Sequence, residues 1–201
     1  MVIRMTKSIS AKYLGVNGAE ERQKEDYYAT DPNAVKELVR KLQEHNISIP
    51  HTIVESSVGG GSIANVFKNN GHKVIAYDIK DRGYPDTTIT DYLFVGKLPT
   101  DDDVMIVENP PYKLSLEFIQ HGLSLIKDGN YLCSLQKIQF LESERRKPFF
   151  ESTPPKYVFV FSKRCMTYRD GQFEKYKSSM MCYAWFVWEK GYKGDTILKW
   201  I

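Results

Sequence analysis

Short apolar segments that alternate with amphipathic ones constrain the fold of this chain more than any other feature. The apolar segments have strand length and lie at 52–55, 74–77, 104–107 and 131–135, with a weaker one at 87–90. Apolar residues with helical spacing follow Asp31-Pro32, Ser62 and Leu114. Strands that alternate with helices in this way need βαβ crossovers. The sequence therefore predicts an α/β fold with a mostly parallel sheet and helices on both faces.

The two ends of the chain break this alternation. Segments 157–161 and 182–188 are rich in aromatic residues and have no convincing helix between them, so they predict an antiparallel hairpin at one edge of the sheet. Residues 1–25 contain two glycines and a run of charged residues. We expect a flexible arm over 1–25 and a single domain over 26–201.

Composition excludes several classes of protein. The chain has 201 residues, of which 42% are hydrophobic and 13% aromatic, as in a globular protein with a substantial core. No apolar run is long enough to span a bilayer, and the N-terminus has no apolar signal region, so we expect a cytoplasmic location. Cys133, Cys165 and Cys182 stand singly and the four histidines are scattered. We therefore expect neither a disulfide framework nor a metal site.

The apolar segment at 104–107 ends abruptly in Glu108-Asn109-Pro110-Pro111-Tyr112. Two prolines fix φ and remove backbone donors, so the strand stops and the turn is stiff. The turn carries a carboxamide oxygen, an exposed peptide carbonyl and a flat ring. Two acceptors beside a stacking surface suit a planar group with an NH₂, such as an adenine edge or a carboxamide. The alternative is an ordinary Pro-Pro loop after a core strand.

Other polar or flexible residues also follow predicted strands. Gly59 and Gly61 lie between a strand and a helix, where glycine lets a ligand approach the backbone and the helix N-terminus adds a positive field. Asp78 is placed to accept hydrogen bonds from a ribose diol, and Glu55 and Asp91 also end strands. Each acid alone is more commonly a solvated loop residue. Together with the Asn-Pro-Pro-Tyr turn, they predict one crevice at the carboxyl ends of the strands.

Positive charge is concentrated in segment 137–177. It holds ten cations and five acids, a net charge of +5, whereas the whole chain carries +3 and the remainder therefore −2. Nine aromatic residues are interleaved with these cations. Basic groups for phosphates and rings for bases are typical of a nucleic-acid-binding surface. The alternative is a solvated face over a β-rich core.

In their order along the chain, these motifs resemble the class I S-adenosylmethionine-dependent methyltransferases, and specifically the small adenine methyltransferases of phages and prophages. The segments that carry the resemblance are 26–32 (DYYATDP), 55–63 (ESSVGGGSI), 77–79 (YDI), 91–93 (DYL), 109–112 (NPPY), 135–146 and 185–188 (WFVW). The resemblance implies a Rossmann-like class I methyltransferase fold. It also implies S-adenosyl-L-methionine as the cofactor and methyl transfer to the N6 amine of adenine in DNA.

The resemblance also assigns residues. It implies cofactor contacts at Tyr28, Thr30, Glu55, Ser57, Gly59, Gly61, Asp78, Ile79, Asp91 and Tyr92. The catalytic motif is Asn109, Pro110, Pro111 and Tyr112: the Asn109 oxygen and the Pro110 carbonyl would accept the two amine hydrogens, and Tyr112 would stack on the base. DNA contacts are expected from Lys137, Arg145, Arg146, Lys163, Arg164, Arg169 and Lys175, and base contacts from the loop around 168–177.

The sequence departs from the family pattern in two respects. The glycine loop lacks the usual proline at its second position and the acid between its glycines, which predicts weaker cofactor affinity. No insertion is large enough for a separate target-recognition domain, which predicts low or short sequence specificity.

Three alternatives stay open: methylation of adenine in RNA, methylation of a protein glutamine, and non-catalytic nucleic-acid binding on a methyltransferase scaffold. No cysteine follows a proline, so cytosine carbon-5 methylation is not expected. The sequence does not predict an oligomeric state.

Overall fold

In the part of the chain that the structure describes, a mixed sheet of eight strands runs between two layers of helices. The computed structural model describes residues 28–163, Cys165, Thr167–Arg169 and 181–201, so the predicted arm at 1–25 lies outside the described residues. The strands are β1 (Tyr28–Thr30), β2 (Thr52–Glu55), β3 (Lys73–Asp78), β4 (Thr88–Ile89), β5 (Val104–Glu108), β6 (Tyr131–Lys137), β7 (Tyr157–Val160), β8 (Thr167–Arg169), β9 (Tyr183–Glu189) and β10 (Ile197–Trp200). The helices are α1 (Pro32–Glu44), α2 (Ser62–Asn69), α3 (Ser115–Leu125) and α4 (Lys147–Ser152).

The order of the strands creates a switch point in the sheet. The order is β10-β7-β9-β6-β5-β2-β3-β4, and β2 to β6 run parallel to one another. From β2 the chain extends the sheet through β3 and β4 in one direction, and through β5 and β6 in the other. In open α/β sheets a crevice forms outside the carboxyl ends of the strands at such a point. The glycine bend after β2 and the Asn-Pro-Pro-Tyr turn after β5 therefore lie side by side.

Two hydrophobic clusters fix the helices to the sheet. The cluster under α1 and α2 includes Leu38, Phe67 and Trp185, and the cluster under α3 and α4 includes Phe118 and Trp188. Both tryptophans belong to β9 and point to opposite faces because side chains alternate along a strand. The indole of Trp185 donates a hydrogen bond of 3.0 Å to the carbonyl of Ala34, and that of Trp188 donates one of 3.1 Å to Thr153.

The first turn of α1 has the cap that the sequence predicts. Asp31 has extended backbone angles and its carboxylate accepts a hydrogen bond of 2.9 Å from the Asn33 amide, while Pro32 occupies the first helical position. This cap connects β1 directly to α1, so β1 is held close to the core.

The five predicted parallel strands and the pairing of β7 with β9 are confirmed. The outermost strand on that side is β10, which pairs parallel to β7 and was not predicted. All four of its residues are exposed, so it lacks the alternation of buried and exposed residues that marks a strand in sequence. Helix α4 was also missed because it has only six residues. Strands β1 and β8, which pair antiparallel as a separate sheet, are only three residues long.

Among the described residues, no helix combines the length and the apolar character needed to cross a membrane.

Replacement of Trp185 by Phe should lower the free energy of unfolding by about 2 kcal/mol, because it removes buried ring atoms and the indole hydrogen bond to the Ala34 carbonyl. Urea unfolding measures the change. Trp200→Phe is the matched control, since Trp200 is 63% exposed on β10 and its replacement should change stability by less than about 0.5 kcal/mol. Equal losses for the two variants would contradict the packing described here.

Candidate active site

A cavity of about 350 Å³ opens at the switch point, where β2, β3 and β5 end. Ligand cavities of this size suit a small organic molecule. Of the ten predicted cofactor residues, eight line this cavity: Tyr28, Thr30, Glu55, Ser57, Asp78, Ile79, Asp91 and Tyr92. Of the predicted catalytic residues, Asn109 and Pro111 line it as well. The structure thus brings together side chains from five separate parts of the chain, although their binding roles stay predictions.

Gly59 and Gly61 shape the bend and do not line the cavity. Gly59 and Gly61 have φ values of 55° and 82°, in the left-handed region that favours glycine. A Cβ on Gly61 would lie 2.1 Å from the Tyr84 ring, so a side chain has no room there. The backbone conformation of the turn favours glycine at both positions, and the contact with Tyr84 also excludes a side chain at Gly61. The surfaces that this bend presents to the cavity belong instead to Ser56, Ser57 and Val58.

Asp78 is fixed at the end of β3 by backbone donors. Its two carboxylate oxygens accept hydrogen bonds of 2.8 Å from the Gly59 amide and 3.0 Å from the Lys80 amide. The Arg82 Nε lies 3.6 Å from the same carboxylate. A carboxylate offers about four acceptor positions, so acceptor capacity remains for a ligand in the cavity. Asp91 is held in a similar manner, since its carboxylate accepts 3.0 Å from the Leu93 amide.

The carboxamide of Asn109 has a fixed orientation. Its Nδ2 donates hydrogen bonds of 2.8 Å to the Tyr28 carbonyl and 3.0 Å to the Thr30 hydroxyl. A carbonyl can only accept, so the group that faces Tyr28 must be the amide nitrogen. Within the described residues, the Asn109 Oδ1 has no hydrogen-bond donor, and Asn109 lines the cavity. Strand β1 therefore binds the amide nitrogen and leaves the oxygen available to a ligand.

The backbone of the Pro-Pro corner offers a second acceptor. The Asn109 carbonyl accepts 3.1 Å from the Ser57 hydroxyl, and the Pro111 carbonyl accepts 2.8 Å from the Leu114 amide. The carbonyl between them, that of Pro110, has no hydrogen bond from any described residue. The Ser57 bond also connects the glycine bend to the Asn-Pro-Pro-Tyr turn directly.

Tyr112 lies in an aromatic group beside this corner. Its ring centroid is 6.2 Å from that of Tyr28 and 6.1 Å from that of Tyr183. The Lys137 ammonium lies 4.6 Å from the centroid of the Tyr112 ring, a cation–π distance. Lys137, predicted as a DNA contact, is therefore next to the candidate catalytic turn.

Tyr92, which was predicted as a cofactor contact, is almost completely buried. Its ring packs against Tyr77, Phe118 and His121 with centroid distances between 5.1 and 5.6 Å, and it is 2% exposed. Burial raises the pKa of its hydroxyl well above the usual range. Tyr92 therefore forms part of the apolar wall of the cavity.

Two buried acids lie at the cavity: Glu55 lines it, and Glu108 lies behind Ser56, which also lines it. Burial raises the pKa of Glu55 well above its ordinary value, although the Ala64 amide hydrogen-bonds to it, and its Oε2 has no partner within the described part of the chain. Burial also raises the pKa of Glu108 to about 7, against hydrogen bonds from Ser56 and Ser134 that lower it. Glu108 was not predicted as a site residue from the sequence, where it only precedes the Asn-Pro-Pro-Tyr turn. The signal that could have identified it is a charged residue within an otherwise apolar strand.

Two of the predicted DNA contacts have partners within the protein. Arg145 forms an ion pair with Glu117 at the surface. Arg146 donates 2.7 Å to the Phe140 carbonyl, and its Nη2 also donates to two further carbonyls, those of Gln139 and Glu142. Arg146 therefore stabilises the turn before α4, while Arg145 remains 68% exposed and accessible to a polyanion.

Two of the other predicted DNA contacts, Lys163 and Arg169, are among the described residues. Lys163 is exposed at the end of β7, and Arg169 is the last residue of β8, which pairs with Tyr28 on β1. Through this pairing the backbone of Arg169 lies beside Tyr28, which lines the cavity. Arg164 and Lys175 lie outside the described residues.

The cavity also has walls that sequence reasoning did not identify: Ser56, Val58, Ser62, Ile63, Arg82, Lys113, Leu114 and Phe118. Ser56, Val58, Ser62 and Ile63 lie inside the predicted segment 55–63 and the other four follow a predicted motif by one to six residues, but only the folded geometry decides which side chains face inward. Across the described ranges, no group of three or more His, Cys, Asp or Glu residues is arranged to hold a metal ion.

Comparison with known proteins identifies the fold. A scan of protein-family models and a search of curated proteins each find no match. A proposed class I S-adenosylmethionine-dependent methyltransferase from Listeria monocytogenes is similar in structure, with a TM-score of 0.61 and 15% identity over 86% of this chain. The type IIG restriction endonuclease BpuSI has a TM-score of 0.60 and 18% identity over 86% of this chain. An S-adenosylmethionine-dependent O-methyltransferase from Thermotoga maritima has a TM-score of 0.55 and 11% identity over 82% of this chain.

These similarities show that the chain has the class I methyltransferase fold, as predicted. The chain spans 65% of the Listeria protein, 67% of the Thermotoga protein and 26% of the restriction endonuclease. Proteins with this fold act on different substrates, so the substrate must be argued from the site.

Glu108 should make stability depend on pH. Its pKa rises from 4.5 to about 7 on folding, so the folded state holds a proton that the unfolded state releases between these values. The stabilisation that this proton contributes to the folded state is therefore fully present below pH 4.5 and is lost as the pH rises through 7. In urea unfolding, the free energy of unfolding of the wild type should fall by about 3 kcal/mol over this pH range relative to that of Glu108→Gln. The exposed Glu144→Gln should parallel the wild type, and a Glu108→Gln variant that does the same would contradict the assignment.

Proposed function

We propose that this protein transfers a methyl group from S-adenosyl-L-methionine to the exocyclic N6 amine of adenine in DNA. One observation carries the proposal: the Asn109 Oδ1 at the cavity and the carbonyl of the next residue, the buried Pro110, are neighbouring acceptors, and neither accepts a hydrogen bond from the described residues. An adenine amine has two hydrogens and needs two acceptors. The Asn-Pro-Pro-Tyr corner supplies that pair on a rigid turn.

The residues of the cavity fit the cofactor. Asp78, held by two backbone donors, would accept hydrogen bonds from the ribose hydroxyls. Val58, Ile79 and Phe118 would provide apolar surface for the cofactor's adenine. Glu55 has a buried oxygen without a partner, which a donor on a bound ligand would satisfy. When bound, the cofactor supplies an electrophilic methyl group on a sulfonium.

The two acceptors act on the nucleophile. The lone pair of an aromatic amine is delocalised into the ring, so the amine attacks poorly. Asn109 and Pro110 would hold its two hydrogens out of the ring plane, which favours a pyramidal nitrogen. They would also stabilise the positive charge that develops on the nitrogen as it gains the methyl group, after which the nitrogen would lose one of its two protons to solvent. Tyr112 would hold the base by stacking after it leaves the duplex. No covalent bond to the protein is needed, and catalysis depends on positioning and charge.

DNA is the favoured substrate for two reasons. The +5 segment at 137–177 contributes exposed cations at Arg145 and Lys163 and the Lys137 ammonium beside the catalytic turn. A phosphate backbone is the natural partner for such a surface. Two of the similar structures are restriction proteins, a type IIG endonuclease and a type I modification subunit, which favours DNA, while a proposed RNA methyltransferase also shares the fold. We infer a short recognition sequence, because the base contacts would come from one segment of the chain.

The substrate class can be tested with tritiated cofactor and separate pools of duplex DNA, single-stranded DNA, RNA and protein. We expect label in DNA and its recovery as N6-methyladenine after digestion. Label in RNA alone or in protein alone would contradict the choice of DNA.

Asn109→Ala should abolish methyl transfer and retain cofactor binding. The loss should be at least about 10²-fold in kcat, the effect of removing one transition-state hydrogen bond in other enzymes. Calorimetric binding of the cofactor should change less than about threefold, since the ribose and sulfonium ends of the cavity are untouched. Asn69→Ala, an exposed substitution at the end of α2, is the control. Equal turnover by Asn109→Ala and wild type would remove the catalytic assignment.

Thr30 should act through Asn109. Thr30→Val keeps the shape of the side chain and removes the hydroxyl that accepts 3.0 Å from the Asn109 amide, so kcat should fall about three- to tenfold. Thr30→Ser keeps the hydroxyl and should retain activity. Steady-state kinetics with cofactor titrations separate the two roles: a weaker cofactor affinity with unchanged kcat would mean that Thr30 serves the cofactor instead.

A further inference from the structure

A buried network of hydrogen bonds joins the floor of the cavity to the strand that carries the catalytic turn. Glu108 is fully buried at the end of β5, and its Oε2 accepts a short hydrogen bond of 2.6 Å from the Ser56 hydroxyl. Its Oε1 accepts 3.0 Å from the Ser134 hydroxyl on β6. Ser134 in turn accepts 2.8 Å from the Gln136 amide. Of these residues, Ser56 lines the cavity.

No cation balances the charge of Glu108. Within the described ranges, no Lys, Arg or His lies within ion-pair distance of its carboxylate. The titratable groups that interact with it electrostatically are the Tyr92 hydroxyl from the 3₁₀ turn Tyr92–Phe94 and the Cys133 thiol from β6. Burial raises the pKa of both groups, so both are neutral between pH 6 and 8. An unbalanced buried carboxylate favours either its own protonation or a positive charge nearby.

We propose that Glu108 is a positioning residue that exchanges one proton and thereby reverses its hydrogen bond with Ser56 at the wall of the cavity. The inference rests on the proposed function, because it concerns how the cavity treats a cationic ligand. Neither Glu108 nor Ser56 belongs to the Asn-Pro-Pro-Tyr turn, and the effect is exerted on binding rather than on the reacting nitrogen.

The two protonation states present different groups to the cavity. When Glu108 is ionised, both of its oxygens accept, so the Ser56 proton is committed to Glu108 and Ser56 presents lone pairs to the cavity. When Glu108 is protonated, it must donate to one of its two hydroxyl partners. Ser134 already accepts from Gln136, so Ser56 is the partner that can reverse more readily. Ser56 then accepts from Glu108, and its own proton turns toward the cavity.

This difference distinguishes a sulfonium from a thioether. A cation in the cavity is stabilised by the lone pairs of Ser56 and by the negative charge behind them, so it favours the ionised state of Glu108. S-adenosyl-L-methionine carries that cation, whereas S-adenosyl-L-homocysteine has the same amino, carboxylate and ribose groups and a neutral sulfur. Cofactor binding should therefore release a proton from Glu108, and binding of the homocysteine product should not. The network would favour exchange of product for cofactor as the pH rises.

The test is calorimetric binding of both compounds to the full chain between pH 6 and 8, in buffers of different ionisation enthalpy. For the wild type, the ratio of the affinity for the methionine compound to that for the homocysteine compound should rise roughly tenfold with pH. The number of protons released should be larger for the methionine compound. Because the two ligands share their other titrating groups, the ratio isolates the sulfur.

Variants separate the proton from the packing. In Glu108→Gln, which keeps the size and neutral hydrogen bonds of the protonated acid, the rise should be several-fold smaller, and any remaining rise would come from Glu55, which also lines the cavity and has a raised pKa. In Ser56→Ala the ratio should vary less than about threefold, because the intermediary hydroxyl is gone. Ser134→Ala is the matched control: it removes the hydroxyl away from the cavity, so the rise should persist and move to higher pH. Circular dichroism and urea unfolding confirm that each variant is folded.

The outcomes distinguish this inference from the proposed function. A wild-type ratio that is flat across this range, or the same rise in Glu108→Gln, would overturn the role of Glu108 while cofactor binding and methyl transfer stand. A wild-type chain that binds neither compound would overturn both.

Discussion

The arrangement of this site depends on the two hydrogen bonds that hold the Asn109 amide nitrogen against β1. A carboxamide at the end of a strand can rotate, and rotation would replace the acceptor at the cavity with a donor. Tyr28 and Thr30 prevent this because their oxygens face the nitrogen. Strand β1 is itself held by the capped start of α1 and by its pairing with β8. A short strand outside the main sheet therefore fixes which atom of the Asn109 amide faces the cavity.

The switch point in the sheet brings the remaining parts to the same place. Because β2 and β5 are neighbours, the glycine bend and the Pro-Pro corner meet, and the Ser57 hydroxyl bonds the one to the other. Beneath them, Glu108 connects Ser56 to β6. The wall of the cavity and the turn that we propose to hold the base are thus parts of one hydrogen-bonded unit, and displacement of one would disturb the other.

Sequence patterns predicted the α/β fold, because a parallel sheet buried on both faces leaves continuous apolar segments such as 104–107. The polar residues at strand ends predicted the crevice, where Glu55, Asp78, Asp91 and Asn109 lie. The other predicted residues that line it, Tyr28, Thr30, Ser57, Ile79 and Tyr92, came from the family resemblance, and their binding roles stay predictions. Sequence patterns missed β10, whose exposed residues carry no burial pattern, and β1 with β8, which are too short to show any periodicity. The anchoring of Asn109 by Thr30 and the network of Glu108 join residues up to 79 positions apart, and no local pattern encodes such pairs. Arg146 was predicted as a DNA contact from charge alone, whereas its position shows bonds to three backbone carbonyls.

The most direct measurement of the central claim is a crystal structure of the chain with S-adenosyl-L-homocysteine and an adenine-containing oligonucleotide. We expect the adenine N6 at hydrogen-bond distance, about 2.7 to 3.2 Å, from both the Asn109 Oδ1 and the Pro110 carbonyl. The Asn109 nitrogen should keep its bonds to Tyr28 and Thr30. An adenine whose N6 is distant from both acceptors, or a reversed Asn109 amide, would contradict that claim.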